Sequence, residues 1–201
     1  MMEQVDLEQR TFSNVALIGF MGVGKSTCGR SLAAELSYHF FDTDQAICEQ
    51  VGCSIPDIFK HHGEKGFRSL EKKLVLNVLP NLKNSVIATG GGLGANSEYL
   101  KILRKNCFVV HLCLPPELIY ERVKHNNNRP LLQTKNPLEQ IQLLLEERLP
   151  VYRTADMEVM TQGRTVSQIV FQILLNYSQP RITSRARDEG ENQVSGPEPR
   201  L

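Results

Sequence analysis

The sequence of 201 residues has no long hydrophobic run and almost no net charge. No apolar stretch reaches the roughly 18 residues that a membrane-spanning helix needs. Lysine and arginine number 23 and aspartate and glutamate 22, so the formal net charge is +1. A general binder of nucleic acids or membrane surfaces needs a concentrated positive field. The composition therefore predicts neither a nucleic acid nor a membrane as partner, and it favours small molecules.

Paired cysteines are also missing. The five cysteines form no Cys-x-x-Cys pair, and they stand inside apolar patterns at positions 28, 48, 53, 107 and 113. An odd number of cysteines in such surroundings predicts buried, reduced thiols, with no disulfide and no zinc site. The first ten residues are polar and acidic, unlike a signal peptide. We therefore expect a cytoplasmic protein, and we expect it to be a monomer.

Residues 19–26 read Gly-Phe-Met-Gly-Val-Gly-Lys-Ser, between an apolar run at 15–18 and a helical pattern at 27–37. A strand, a glycine loop and a helix in this order are the context that a phosphate-binding loop requires. Glycines let successive N–H groups turn toward phosphate oxygens at a helix N-terminus. Lys25 adds a charge for the β- and γ-phosphates, and the Ser26 hydroxyl suits Mg²⁺. A plain glycine-rich turn is the weaker interpretation, because position, spacing and flanks all agree.

Strand patterns alternate with helical patterns along the chain. The five predicted strands are 14–19, 39–41, 85–89, 107–114 and 157–160. This alternation predicts an α/β fold with a five-stranded parallel sheet, helices on both faces and right-handed crossovers. The pattern alone does not determine the order of the strands in the sheet.

The predicted domain organisation is one P-loop domain with two loose ends. Residues 1–13 carry no strong pattern and are interpreted as a loose N-terminal arm, and residues 14–178 as a P-loop domain. Residues 179–201 have almost nothing to bury, so we expect a disordered tail. Residues 124–136 are polar, rich in asparagine and broken by proline. Such a segment is either a surface loop or a mobile lid.

A phosphate loop alone could belong to a GTPase, a motor or a small-molecule kinase. GTPases need a guanine-reading Asn-Lys-x-Asp, which this sequence lacks. Motors carry coupling domains, for which the chain is too short. A small-molecule kinase is the class that remains.

Several further segments could form the acceptor side of such a kinase. Asp42-Thr-Asp44 follows the second predicted strand and Gly90–Gly92 follows the third. In open α/β sheets ligands bind at the carboxyl ends of the strands. Each candidate also has a purely structural interpretation: a helix cap for the aspartates, a tight turn for the glycines, and surface salt bridges for Arg68, Arg129 and Arg148.

Six motifs in a fixed order make the sequence similar to the shikimate kinases, over residues 14 to about 177. In this sequence they are Gly19–Ser26, Phe40–Asp44, Gly63–Glu71, Thr89–Gly92, Arg129–Leu132 and Glu147–Tyr152. The resemblance implies transfer of the ATP γ-phosphoryl group to the 3-hydroxyl of shikimate, in the pathway to chorismate and the aromatic amino acids. It also implies a P-loop NTPase fold of the nucleoside-monophosphate-kinase type, with strand order 2-3-1-4-5 and a mobile lid.

The resemblance also implies the residues of the site. The implied catalytic residues are Lys25, Asp44 and Arg129, and the metal ligands for Mg²⁺ are Ser26 and Asp42. The implied nucleotide-binding residues are Gly22, Val23, Gly24, Lys25, Ser26, Thr27, Arg122, Arg129 and Arg164. The implied shikimate-binding residues are Asp44, Arg68, Gly90, Gly91, Gly92 and Arg148. Two arginines aimed at one pocket agree with an anionic acceptor, because guanidinium groups bind carboxylates with two parallel hydrogen bonds.

Two other functions remain open at this point. The first is a kinase of another small hydroxy acid, such as gluconate, which would share the loop and the fold. The second is a non-catalytic relative that only binds its ligands, although it would be expected to have lost Lys25, Asp44 or Arg129. Asp44 could act as the base for the acceptor hydroxyl or could only orient it, and the sequence does not decide between these roles.

Overall fold

The computed structural model describes residues 7–9, 12–124, 134–178 and 182–184. The chain divides into two compact units, residues 12–179 and the two terminal segments 1–11 and 180–201. The larger unit contains every predicted site residue. In the part of the chain that the structure describes, no helix is long and apolar enough to cross a bilayer.

The larger unit alternates strands and helices. Its strands are β1 Asn14–Ile18, β2 His39–Asp42, β3 Ser85–Ala88, β4 Cys107–Cys113 and β5 Met157–Met160. Its helices are α1 Lys25–Leu36, α2 Thr43–Val51, α3 Ile55–Asn77, α4 Ser97–Asn106, α5 Pro116–Val123, α6 Pro137–Tyr152 and α7 Val166–Tyr177. Short 3₁₀ turns occupy Leu79–Asn81 and Leu93–Ala95.

The five strands form one parallel sheet in the order β2-β3-β1-β4-β5. This confirms the predicted α/β class and the strand order that the family resemblance implied. Strand β1 lies at the centre, where Asn14 is in register with Ser85 of β3 and Cys107 of β4. All carboxyl ends of the strands therefore meet at one edge, which holds the phosphate loop and the segments that follow β2 and β3.

Both faces of the sheet are buried, as expected for a parallel sheet covered by helices. Every residue of β1 and of β3 is buried. Residues on one face, such as Leu17 and Val110, pack with α1, α5 and α7, and residues on the other, such as Ile18 and Val109, pack with α3 and α4. The two apolar clusters hold β1 rigidly from both sides, so the loop that follows it starts from a fixed point.

Helix α3 differs from the sequence prediction. The apolar pattern of residues 55–59 predicts a short helical turn, and that of residues 63 to about 79 predicts a separate, longer helix, whereas one helical element spans Ile55–Asn77. Gly63 interrupts it with non-helical angles, φ 64° and ψ −178°. Glycine is the residue that adopts such a left-handed φ without strain. The two predicted pieces are thus joined by a kink at Gly63.

Two short strands lie in the terminal segments. Leu7–Gln9 pairs with Ile182–Ser184 in an antiparallel ladder. The composition predicts a loose arm and a disordered tail, with no strand in either, so the structure differs from this expectation at these six residues. Backbone hydrogen bonds can pair two short segments even when they bury few side chains, and a composition argument does not detect such pairing. The rest of the arm and of the tail lies outside the described residues.

The cap of helix α7 gives a test of this fold. Gln168 N donates to Thr165 Oγ1 at 3.3 Å, and Thr165 N donates to Gln168 Oε1 at 2.9 Å. These two bonds form a capping box, and loss of such a cap costs about 1 kcal/mol. We expect Thr165→Ala to lower the melting temperature by about 3 °C. Thr165→Ser, the matched control, keeps the hydroxyl and should melt within about 1 °C of the parent. Equal melting temperatures for all three proteins would contradict this role of the cap.

Candidate active site

The phosphate loop joins the end of β1 to the start of α1 in the geometry that its glycines require. Gly19, Gly22 and Gly24 have φ values of 134°, 80° and 102°. A Cβ atom on Gly19 would lie 2.3 Å from the carbonyl oxygen of Leu112, and one on Gly22 would lie 2.8 Å from Val123 Cγ1. The loop is therefore pressed against β4 and α5, and its first two glycines are required by crowding as well as by their angles.

Lys25 is the first residue of α1, and its side chain is only 9% exposed. Its Nζ donates to the carbonyl oxygens of Gly19 at 2.8 Å and Phe20 at 2.7 Å. The ammonium group is thus held across the mouth of the loop, at the N-terminus of a helix where anions bind well. This is the position expected for a lysine that neutralises phosphate charge.

Ser26 and Asp42, the two predicted metal ligands, contact each other. Ser26 Oγ donates to Asp42 Oδ2 at 2.6 Å, while Asp42 Oδ1 accepts from the backbone N–H groups of Asp44 and Gln45. The aspartate is therefore a helix cap, as the structural interpretation held, and it also aims its second oxygen at the phosphate loop. The two interpretations are compatible because each uses a different oxygen.

These two side chains suit a magnesium ion. A hydroxyl and a carboxylate supply two oxygen donors, and Mg²⁺ in kinase sites takes most of its remaining ligands from water and phosphate. In the ranges that the structure describes, no group of three or more His, Cys, Asp or Glu side chains could hold a metal by itself. The donors present thus fit a cation that arrives with a nucleotide and do not fit a site built from protein groups alone.

A cavity of about 260 Å³ connects the loop with the acceptor candidates. Its lining includes six predicted nucleotide or metal residues, Gly22, Gly24, Lys25, Ser26, Thr27 and Asp42, and two predicted acceptor residues, Asp44 and Gly91. The segments that follow β1, β2 and β3 all reach this cavity, since parallel strands end at the same edge. One pocket is therefore lined by residues from both halves of the predicted site.

Gly90 packs directly against Asp44. A Cβ atom on Gly90 would lie 2.3 Å from Asp44 Oδ1 and 3.3 Å from Glu71 Oε1. Gly90 N also donates to Thr43 Oγ1 at 2.7 Å, which ties the turn after β3 to the start of α2. Any side chain at position 90 would displace these carboxylates, so this glycine is required by close approach.

Arg68, on the second part of α3, lies against Gly92. Its Nη1 would be 2.1 Å from a Cβ atom at that position. The same guanidinium is bonded to Glu71 Oε2 at 2.7 Å and to Glu64 Oε1 at 2.8 Å. Arg68 is thus in salt bridges, as the structural interpretation held, and at the same time borders the predicted acceptor turn.

Arg148, on α6, approaches the same turn and is only 8% exposed. Its Nη1 would lie 3.6 Å from a Cβ atom on Gly91, and its Cζ lies 5.3 Å from the centre of the Phe20 ring. Among the described residues, this Nη1 atom is buried and has no hydrogen-bond partner. A buried guanidinium nitrogen without a partner is costly, so it marks a place where an anionic ligand is expected.

Glu71 was not assigned a role by the sequence analysis. Its side chain is 1% exposed, and Oε2 accepts the hydrogen bond from Arg68. Burial raises the pKa of this carboxyl group, and Arg68 acts in the opposite direction. Its other oxygen, Oε1, has no hydrogen-bond partner among the described residues. The sequence contains a sign that Glu71 belongs to the site, because this residue ends the Gly63–Glu71 motif. The pattern does not show, however, that its carboxylate points inward.

The three remaining arginines of the predicted site differ in where the structure places them. Arg122 lies on α5, and its Nη1 donates to Gly22 O at 3.1 Å, so the structure brings it to the phosphate loop. Arg164 lies on the turn before α7, where its Nη1 donates to Gln172, and its binding of nucleotide stays a prediction. Arg129 and residues 125–133 of the predicted lid lie outside the described part of the chain.

Comparison with known proteins identifies the family to which the chain is similar. Residues 21–178 match the family model described as shikimate kinase. The chain is 44% identical over 161 residues to the shikimate kinase of Persephonella marina, covering 80% of this chain and 96% of the relative. It also resembles the structure of the Acinetobacter baumannii shikimate kinase in complex with shikimate, with 38% identity, a TM-score of 0.78, and coverage of 83% and 93%.

A gluconokinase structure from Sinorhizobium meliloti is much less similar. Its TM-score is 0.51 and its identity 18%, over 84% of this chain and 94% of that one. A likeness at this level reflects the shared fold alone. The alternative of a gluconate kinase therefore gains no support beyond the architecture.

The contacts of Lys25 lead to a prediction about the loop. We expect Lys25→Met to keep the fold, because methionine can fill the same space, and to lose phosphoryl transfer. Removing a charge that stabilises the transferring group should lower kcat by well over tenfold, since tenfold corresponds to about 1.4 kcal/mol of barrier. A continuous assay of ADP release checks this, with the melting curve as the control for folding. Activity above about a tenth of the parent would contradict the role of Lys25.

Proposed function

Because the chain belongs to the shikimate kinase family, we propose that it transfers the γ-phosphoryl group of ATP to the 3-hydroxyl of shikimate. The observation that carries this proposal is the single cavity lined both by the phosphate loop and by Asp44 and Gly91. A donor site and an acceptor site that share one pocket are what direct phosphoryl transfer needs. The product, shikimate 3-phosphate, serves the pathway to chorismate and the aromatic amino acids.

On the donor side, we propose that the phosphate loop holds the ATP phosphates through its backbone N–H groups, with Val23 and Thr27 as part of that cradle. Lys25 would move from the carbonyl oxygens of Gly19 and Phe20 to the β- and γ-phosphates. Ser26 and Asp42 would hold Mg²⁺, which neutralises charge on the phosphates when it is bound. Arg122 already contacts the loop at Gly22, which supports its assignment to the nucleotide.

On the acceptor side, we propose that Arg68 and Arg148 bind the shikimate carboxylate. The two guanidinium groups border consecutive glycines, Gly92 and Gly91, so one small ligand can reach both. Gly90 would let the Asp44 carboxylate lie close against the turn, beside the hydroxylated ring. The buried Arg148 and the partly exposed Arg68 together favour an anionic acceptor, because a guanidinium can make two charge-assisted bonds to one carboxylate.

The chemical step asks this chain for alignment more than for covalent chemistry. Asp44 lies at the carboxyl edge beside Gly90 and lines the cavity. It would orient the acceptor hydroxyl toward the γ-phosphate or take its proton, and both roles place the carboxylate within hydrogen-bond reach of that oxygen. Arg129 would neutralise charge on the phosphates from the predicted lid at 124–136, which would also exclude water.

We further infer a cytoplasmic monomer with no nucleic-acid or membrane partner.

An assay of ADP release with three acceptor conditions tests the proposal directly. With Mg²⁺ and ATP, shikimate should support rapid turnover, while gluconate should give the same low rate as no acceptor. The product should be shikimate 3-phosphate by phosphorus NMR. Turnover with gluconate would support the other small-acid kinase, and no turnover with either acid would support a non-catalytic relative.

The paired arginines give a sharper prediction. Arg68→Lys and Arg148→Lys each keep a positive charge but lose the planar fork that matches a carboxylate. Loss of one hydrogen bond to a charged group costs about 1.5–3 kcal/mol, so kcat/KM for shikimate should fall about ten- to a hundredfold. The KM for ATP should stay within about twofold, because neither side chain is assigned to the nucleotide.

A matched control is Arg153→Lys, since Arg153 is an exposed residue that directly follows α6. Its effect should not exceed a few tenths of a kcal/mol. Equal losses for ATP and shikimate in the two site variants would indicate misfolding. Unchanged kinetics in both would reject the assignment of the carboxylate site and leave the phosphate loop unaffected.

A further inference from the structure

The peptide that joins Gly91 to Gly92 is held from behind by a buried phenol. Tyr152, the last residue of α6, is completely buried, and its hydroxyl donates to Gly91 O at 2.8 Å. Burial raises the pKa of this phenol to about 12, and Arg148 acts in the opposite direction. The hydroxyl therefore stays protonated at neutral pH and serves as a steady donor.

The direction of this bond determines which way the next N–H group points. A peptide unit is planar, and in the trans form its C=O and N–H point in opposite directions. No cis peptide occurs in the described ranges. Because Tyr152 draws Gly91 O into the core, the N–H of Gly92 must point away from the core. Gly91 itself lines the cavity shared with the phosphate loop, and an N–H that points away from the core at this turn would face the acceptor side.

The same tyrosine stands one helical turn after Arg148. Residues four apart on a helix lie on the same face, so the two side chains leave α6 together. Arg148 Nη1 lies near Gly91, and it is the buried guanidinium nitrogen that lacks a partner among the described residues. The backbone bond of Tyr152 thus fixes the distance between the end of α6 and the turn after β3.

Tyr152 is held in place from its other side by the sheet. Its ring stacks on the ring of His111, with centroids 4.8 Å apart and planes 24° apart. His111 belongs to β4, is 3% exposed and has its Nδ1 3.0 Å from Glu158 Oε2 on β5. A ring packed against a bonded histidine has little freedom, so the hydroxyl stays aimed at Gly91.

Resting on the proposed function, we infer that Tyr152 is a positioning residue for the acceptor. Its hydroxyl turns the Gly92 N–H toward the acceptor ring and keeps Arg148 at the right distance to bind the acceptor carboxylate. Tyr152 does not touch the acceptor in this account. It acts through the 91–92 peptide and through Arg148. Tyr152 ends the Glu147–Tyr152 motif, but the family resemblance implied no role for its side chain.

A purely structural tyrosine would satisfy the same hydrogen bond and would affect only stability. The test must therefore separate binding of the acceptor from stability. Tyr152→Phe removes the hydroxyl and keeps the ring that stacks on His111. Tyr177→Phe is a matched control, because Tyr177 also donates to a backbone oxygen, that of Phe12 at 2.9 Å. Phe12 precedes β1, so this second bond lies at the amino edge of the sheet, opposite the site.

We expect Tyr152→Phe to raise the KM for shikimate about five- to tenfold, as loss of a buried hydrogen bond would. The kcat and the KM for ATP should stay within about twofold, because the donor side is untouched. The parent should prefer shikimate to its carboxamide, and Tyr152→Phe should reduce that preference at least about threefold, since Arg148 would no longer be held in register. Tyr177→Phe should lower the melting temperature while leaving the KM values and the preference unchanged.

An unchanged KM and an unchanged preference in Tyr152→Phe, with a lowered melting temperature, would overturn the inference and leave a structural role. If Tyr152→Phe gives no cooperative melting curve and is therefore misfolded, the test is carried out on the parent protein. Its Gly92 amide resonance should shift on titration with shikimate alone, and an unmoved resonance would overturn the inference. A parent without shikimate kinase activity would instead reject the proposed function, and the first assay shows this before any variant is compared.

Discussion

Crowding at the turn after β3 is the constraint on which the site depends. Gly90, Gly91 and Gly92 are enclosed by the carboxylate of Asp44, the backbone of the phosphate loop and the guanidinium groups of Arg68 and Arg148. A single added methyl group at position 90 or 92 would overlap these neighbours. The missing side chains are therefore what allow three elements, the phosphate loop, α3 and α6, to converge on one small volume.

Charge in this volume is balanced by a small number of groups. Two arginines face two carboxylates, and Glu71 is bonded to only one of the arginines. The other arginine, Arg148, packs on the Phe20 ring, and its Nη1 lacks a partner among the described residues. An arriving carboxylate would supply the missing partner without breaking the bond between Arg68 and Glu71. The two arginines thus differ: Arg68 is bonded to Glu71, and Arg148 has one buried nitrogen without a partner among the described residues.

Much of the fold and of the site could be predicted, because the decisive residues form local patterns. The phosphate loop, the alternation of strands and helices, and the carboxylates after β2 are all readable from neighbours in sequence. Strand order was not readable in this way, and it came from the family resemblance. Glu71 and Tyr152 were missed as site groups because burial and side-chain direction depend on contacts between distant segments. The joining of two helices at Gly63 and the pairing of the terminal strands were missed for the same reason, since each depends on backbone geometry that composition does not encode.

The position of Lys25 has a consequence for how the loop meets its ligand. Its ammonium group is bonded to two carbonyl oxygens of the loop itself, so under the proposed function a phosphate would compete with these oxygens for the same cation. The binding free energy is then the difference between two sets of hydrogen bonds, and the full strength of the new ones is not realised. If Lys25 acts as proposed, a triphosphate, with more charge and more oxygens, would gain more from that exchange than a monoanion would. The two carbonyl oxygens of the loop would then disfavour the binding of ligands that carry little charge.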